Sequence, residues 1–198
     1  ESSEKTGALT VLKESTELTL TSVNANYEDE CNVTAQLKDD EGNMIKGKTV
    51  NFYVYYNGSW QFIGSAITNE DGYASISYTP DIPPGSYQIK ASFDGDDYYE
   101  SSESINILTI NREITTLTDP STSANYLDEV LIITRLTDDE GNPISDREVS
   151  FYIYYDGSWH YIGENATNNN GYAEVRYAPD LMPGSYQLKV IFEGDDYY

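Results

Sequence analysis

The sequence predicts an all-β protein built from two tandem antiparallel sandwiches. Short runs alternate apolar and polar residues, and no stretch carries a helical period. Turn signals recur about every 8–12 residues, the spacing of a sandwich rather than of one large barrel. The whole pattern then occurs a second time at a fixed offset of 99 residues.

In the first copy, Glu28 to Lys38 alternates with Cys31, Val33, Ala35 and Leu37 on one face. Thr49 to Tyr56 alternates with Val50, Phe52 and Val54 inward and Tyr53 and Tyr55 outward. Asn57-Gly58 closes a hairpin, because a two-residue turn of this kind needs positive φ. Trp60 to Thr68 returns, Asp71-Gly72 turns again, and Ala74, Ile76 and Tyr78 mark a further inward face. Pro80 to Ser86 reads as a rigid loop and Tyr87 to Phe93 as the next strand. A first strand is expected at about Thr16 to Val23.

The second copy repeats these features without a gap. Ala25-Asn26-Tyr27 recurs as Ala124-Asn125-Tyr126, and Asp39-Asp40-Glu41-Gly42-Asn43 as Asp138-Asp139-Glu140-Gly141-Asn142. Gly95-Asp96-Asp97-Tyr98-Tyr99 recurs as Gly194-Asp195-Asp196-Tyr197-Tyr198. About half of all positions are identical between the copies.

Composition bounds the function. The chain carries 34 acidic and 11 basic residues, a net charge of −23. Both copies share the excess, with 16 acids against 6 bases in the first and 18 against 5 in the second. Such a surface opposes binding to nucleic-acid backbone or docking on anionic membrane. One cysteine forms no internal disulfide, and one histidine builds no histidine metal cluster. No apolar run approaches the roughly 20 residues of a membrane-spanning helix, so no membrane insertion is expected. The start at Glu1, without a signal-peptide pattern, reads as a mature or excised piece.

The order Asp-Asp-Glu-Gly-Asn, Val-x-Phe-Tyr, a Gly-Tyr-Ala turn, Pro-Gly-Ser-Tyr and Gly-Asp-Asp-Tyr resembles the prokaryotic immunoglobulin-like tandem repeats. These include invasin/intimin-type stalks and methanogen adhesin-like surface proteins. The resemblance spans both copies and implies an immunoglobulin-like sandwich displayed outside the cell. It also implies a tyrosine corner at Tyr87 and Tyr186, whose hydroxyls bond back to nearby backbone. The antibody-type cysteine bridge and core tryptophan are absent. Cys31 aligns with Val130 and is expected to act as a small core hydrophobe.

In such repeats a last strand follows the Gly-Asp-Asp-Tyr turn. The first copy has it at Ser104 to Asn111, with Ile107-Leu108-Thr109-Ile110. The second copy reaches Tyr198 at that turn, and the matching segment is Ala8-Leu9-Thr10-Val11-Leu12 at the front. The expected organisation is therefore residues 1–14 as the last strand of a preceding repeat or a donor strand, 15–112 as domain one, and 113–198 as domain two without its last strand. A flanking repeat in a continuous array, or strand donation between copies of the chain, would fill the gap, and both give linear head-to-tail assembly. An arbitrary boundary or a disordered end is the bland alternative.

Catalysis is not expected, because a Ser–His or Cys–His arrangement would need His160, which is Gln61 in the other copy. Calcium is the cofactor the composition allows, at the oxygen-rich turns Asp39, Asp40, Glu41 and Asn43 and Asp138, Asp139, Glu140 and Asn142. Asp94, Asp96 and Asp97, with Glu193, Asp195 and Asp196, form a second such pair, and none matches EF-hand spacing. A solvated acidic turn is the simpler expectation for all of them. Asn32, Asn57 and Asn165 stand in N-x-Ser/Thr sequons for glycosylation.

Where the first copy shows Asn32 and Thr34 outward, the second shows Leu131 and Ile133, an expected contact surface. Outward Tyr53, Tyr55, Tyr152 and Tyr154, beside Trp60 and Trp159, offer structural packing or a surface for a glycan or host protein. The function expected is a structural module of an extracellular fibre, stalk or surface layer. The rival is a ligand-binding adhesin.

Overall fold

The computed structural model describes residues 5–198. The chain divides into two units, the first running to Asn111 and the second covering Arg112–Tyr198.

Unit 1 is a two-sheet sandwich of eight strands. They are β1 (Thr16–Leu20), β2 (Val23–Asn26), β3 (Cys31–Asp39), β4 (Thr49–Tyr56), β5 (Ser59–Ile67), β6 (Tyr73–Tyr78), β7 (Gly85–Phe93) and β8 (Ser102–Asn111). One sheet has the order β1-β3-β6 and the other β2-β8-β7-β4-β5. All pairings are antiparallel except β2 with β8, which run parallel. The inner faces meet in a core of Val33, Leu37, Val50, Phe52, Ile89 and Leu108 with their neighbours. Each of these alternates with outward residues along its strand, as period-two patterning requires.

The first strand departs from expectation. The single strand expected from Thr16 to Val23 is two strands in different sheets. Leu18 and Leu20 are buried at even positions, then Val23 and Ala25 at odd ones. That change of parity at Thr21-Ser22 is the step from one sheet to the other.

The turns follow their chemistry. Asn57 and Gly58 have φ of 50° and 81°, and Asp156 and Gly157 have 49° and 80°. Two successive positive φ angles make a hairpin whose twist matches its strands. Gly72 is fixed by packing, since a Cβ there would lie 2.5 Å from the Leu37 carbonyl oxygen. The tyrosine corners form, with Tyr87 Oη donating to Pro83 O and Tyr186 Oη to Met182 O, both at 2.7 Å. Cys31 sits at the rim of the core rather than within it. It is half-buried, and its thiol donates to Tyr78 O at 3.2 Å. Burial, with Glu30 nearby, pushes that thiol up from its usual pKa.

Unit 2 has β9 (Thr115–Leu117), β10 (Val130–Asp138), β11 (Glu148–Tyr155), β12 (Ser158–Ala166), β13 (Tyr172–Tyr177) and β14 (Gln187–Ile191). Its sheets are β13-β10-β9 and β12-β11-β14. The strands β10, β11, β12 and β13 lie 99 residues after β3, β4, β5 and β6 at both ends. The other three positions differ. β9 keeps three of the five residues of β1, β14 keeps five of the nine of β7, and residues 122–125, which answer to β2, form no strand.

These losses share one feature. In unit 1, β8 pairs with β7 from Ser102 to Ile110 and with β2 from Leu108 to Asn111. It also holds β1 through side chains: Ser104 Oγ accepts from Leu20 N at 3.2 Å, and Asn106 Nδ2 donates to Leu20 O at 2.8 Å. Every element weakened in unit 2 corresponds to one that β8 supports in unit 1. Among the described residues, unit 2 has no strand in that place.

Candidate functional site

The unfilled position in unit 2 is an open strand edge above an apolar cleft. Among the described residues β14 pairs with β11 on one side only, Gln187 to Tyr154 and Ile191 to Ser150. Its other edge presents backbone donors and acceptors, the form of edge that invites another strand. Beneath it lies a cleft of about 520 Å³ lined by Val130, Ile132, Ile153, Tyr177, Tyr186 and Leu188, among others.

In unit 1 the corresponding place is held by β8. Leu108 faces Tyr87 and Ile110 faces Gly85 across the β7–β8 ladder, and both side chains are buried. They join a core that includes Val33, Val54 and Ile89, with Tyr78 and Tyr87 packed against it. Ile89 and Ala91 in β7 are fully covered, whereas Leu188 and Val190 of β14 are only half-buried.

The segment Ala8–Leu12, expected as a strand, has no regular structure in the single chain. Leu9 is 88% and Val11 82% exposed, while the aligned Leu108 and Ile110 are 0% and 2% exposed. The two segments thus share a sequence pattern but not an environment. Residues 1–4 of the expected N-terminal segment lie outside the described residues.

The groove-lining residues Tyr177, Tyr186 and Leu188 were not singled out as a site by the sequence. The signal for them was alignment with Tyr78, Tyr87 and Ile89, whose place beside β8 only the fold reveals.

The acidic turns are organised by their own hydrogen bonds. Asp39 accepts from the Asn43 backbone N at 2.7 Å and from Asn43 Nδ2 at 2.8 Å. Asp138 and Asn142 repeat this at 2.6 and 2.8 Å. Donation from Asn43 holds the Asp39 carboxyl below its ordinary range. Asp40 and Glu41 instead approach Glu14, an exposed carboxylate group in which hydrogen bonding with Asp40 raises both Glu14 and Glu41. Asp96 accepts from Tyr98 N and Tyr99 N at 2.8 and 2.9 Å and pairs with Lys48 Nζ at 2.6 Å. Asp195 does the same for Tyr197 and Tyr198, paired with Arg147 at 2.7 Å.

Asp96 carries a pH prediction. Its carboxyl is held below the usual value, first by the Lys48 hydrogen bond and then by the backbone amides. A depressed carboxylate stabilises the fold above its unfolded pKa of about 3.9, and the benefit fades as pH falls through the folded value. Denaturation of unit 1 between pH 6 and 2.5 should therefore show a gap between the parent and Asp96→Asn that closes on acidification. A gap constant across that range would remove Asp96 from the account.

The outer sheet faces carry matched aromatic clusters. In unit 1, Tyr53 meets Phe62 and Tyr55 meets Trp60 edge-on at 5.6 and 5.3 Å, with Lys90 over the Tyr53 and Trp60 rings. In unit 2, Tyr152 meets Tyr161 and Tyr154 meets Trp159 at 5.7 and 5.2 Å, with Lys189 in the same role. Leu131 and Ile133 point outward from β10 opposite Arg176 and Glu174, and Ile133 is exposed. Among the sequon residues, Asn57 stands exposed at its hairpin tip and Asn32 is exposed on β3. Asn165 is exposed, but its side chain donates to Glu174 O and accepts from Ala166 N. His160 stacks on Tyr155 at 3.7 Å between ring centroids, with Nε2 3.0 Å from Ser158 Oγ and 3.2 Å from Tyr155 O.

Residues 14–107 match the model of the bacterial Ig-like domain (group 1). Among solved structures, invasin, a bacterial integrin-binding protein, is 16% identical with a TM-score of 0.52, over 92% of this chain and 37% of its own. The Escherichia coli adhesin FdeC is 16% identical with a TM-score of 0.40, over 92% and 60%. The alpha-2-macroglobulin of E. coli is 15% identical with a TM-score of 0.37, over 89% and 13%. The chain thus spans less than two thirds of each of these structures. At such identities the likeness concerns the fold. No curated protein sequence matches the chain.

Proposed function

We propose that the chain, whose residues 14–107 match the bacterial Ig-like domain (group 1) model, is a structural repeat module of an extracellular fibre, stalk or surface layer. The observation that carries this reading is the open edge of β14 above its apolar cleft, at the place that β8 fills in unit 1. A sandwich open at one end accepts a strand there and so extends in one direction. The added strand comes from a flanking repeat of a longer array or from another copy. Each unit then meets mainly its neighbours along a line, so the role is mechanical. The acidic surface keeps such a polymer soluble.

Concentrated pure chain viewed by electron microscopy should show thin, unbranched filaments. Particles that remain single at every concentration would count against assembly by the chain itself. A second reading, an adhesin contacting glycan or host protein, draws on the exposed aromatic clusters, in which Phe62 is 61% and Tyr161 54% exposed. Glycan binding by single particles, lost in Trp60→Ala and Trp159→Ala, would favour it.

A further inference from the structure

We infer that the partner of the open edge in unit 2 is residues 5–12 of a second copy of this chain, bound antiparallel to β14 with Leu9 opposite Tyr186 and Val11 opposite Gly184. This deepens the fibre reading and rests on it.

The register follows from unit 1. There Leu108 lies opposite Tyr87 and Ile110 opposite Gly85, while Leu108 and Ile110 also pair with Val23 and Ala25 of β2. Shifting the acceptor by 99 residues gives Tyr186, Gly184, Thr122 and Ala124. Shifting the strand by the same distance toward the front gives Leu9 for Leu108, Thr10 for Thr109 and Val11 for Ile110. Two of these three residues are unchanged, and valine for isoleucine keeps a β-branched side chain suited to a strand.

Parity then puts Leu9 and Val11 into the cleft and Ala8 and Thr10 outward. A slip of one residue would turn the polar face inward. The side chains are ready for it, since both stand almost wholly in solvent in the single chain. Charge agrees as well. Residues 5–13 carry two lysines and no acid, and they would approach unit 2, which has 16 acids against 5 bases. A bound strand also supplies the parallel partner that residues 122–125 lack, so that segment should become a strand on docking. The contact joins the front of one copy to the back of another. Each bound copy keeps a free donor at one place and a free acceptor at the other, so the same contact can recur from copy to copy, as a filament requires.

The test is cross-linking in the Cys31→Val background, which replaces the native thiol with its counterpart from the other repeat. Ala8 faces Gln187 in the inferred register, as Ile107 faces Gln88 in unit 1. Chains carrying Ala8→Cys and Gln187→Cys should oxidise to a ladder of disulfide-linked dimers, trimers and higher oligomers. Moving the acceptor by two residues on the same face, to Ser185→Cys or Lys189→Cys, should lower the ladder at least ~10-fold, the factor that about 1.4 kcal/mol produces. Adding Leu9→Asp and Val11→Asp to the Ala8/Gln187 pair should abolish it, and melting of unit 1 in that variant shows that the chain still folds.

A ladder of equal yield at all three acceptors would overturn the register. A disulfide confined to single chains would overturn the second copy as donor. Filaments that form as before in the Leu9→Asp, Val11→Asp chain would overturn the donor segment while leaving linear assembly standing. Absence of both filaments and ladder would sink the two proposals together.

Discussion

Unit 2 of a chain carrying Leu9→Asp and Val11→Asp should unfold well before unit 1 on heating, and a peptide of residues Lys5–Lys13 should raise that first transition. The substitutions prevent self-donation, so the transition reports the open sandwich alone. Unit 1 fully buries Leu108 and Ile110, and unit 2 has no counterpart to them among the described residues. Burial of two such side chains contributes roughly 3–6 kcal/mol, at about 1.5–3 each. In a domain of this size each kcal/mol moves the midpoint by about 4–8 °C, so unit 2 should melt at least ~10 °C below unit 1.

Peptide at a hundredfold excess over its Kd adds about 2.7 kcal/mol by mass action, enough to raise the lower transition by about 10 °C or more. A control peptide with aspartate at the positions of Leu9 and Val11 should have no effect, because an unpaired carboxylate entering an apolar cleft is strongly disfavoured. Calorimetry resolves the two transitions. A single transition that the parent peptide does not move would show that unit 2 needs no added strand.

Most of the sandwich is legible in the sequence because its strands are half-buried and alternate cleanly. Val50, Phe52 and Val54, and Val149, Phe151 and Ile153, read as inward in either representation. The division of the first strand was harder to see, since Thr21-Ser22 carries neither proline nor glycine. Its only mark is the jump in buried parity between Leu20 and Val23.

Two kinds of buried residue escaped the pattern because they lie outside alternating strands. Ile45 and Ile144 enter the core from the loops after β3 and β10. Thr68 and Thr167 are buried hydroxyls accepting from the backbone N of Lys48 and Arg147 at 2.9 and 3.0 Å. Such residues satisfy local backbone geometry, and periodicity has nothing to say about them. The cleft was legible only in part. The repeat phase identified the strand position, but the residues beneath it belong to four separate segments that pairing alone brings together.

Putting Asp at Leu108 should convert unit 1 into an imitation of unit 2. Leu108 is fully buried in the middle of β8, opposite Tyr87 on one side and Val23 on the other. A carboxylate there has no partner, and exclusion of such a group from an apolar core costs several kcal/mol. The cheaper outcome is for β8 to leave its place.

Three consequences then follow together. β2 loses the strand it pairs with, so amides at 23–26 should lose protection from hydrogen exchange. β1 loses the Ser104 and Asn106 bonds at Leu20 and should fray at that end, as β9 ends early at Leu117. β7 should shorten toward the length of β14. The strands β3, β4, β5 and β6 should stay protected, because their counterparts β10, β11, β12 and β13 form in unit 2 with unchanged bounds.

Hydrogen exchange resolved by mass spectrometry reads each segment, and the melting midpoint of unit 1 should fall by roughly 10 °C or more. If residues 23–26 kept their protection in Leu108→Asp, the short strands of unit 2 would need a cause other than the empty place beside β14. The donor segment would then lose its structural rationale. Loss of protection across all of β3 to β6 would instead mean that the last strand is required for the fold itself, a requirement that the observed folding of unit 2 contradicts.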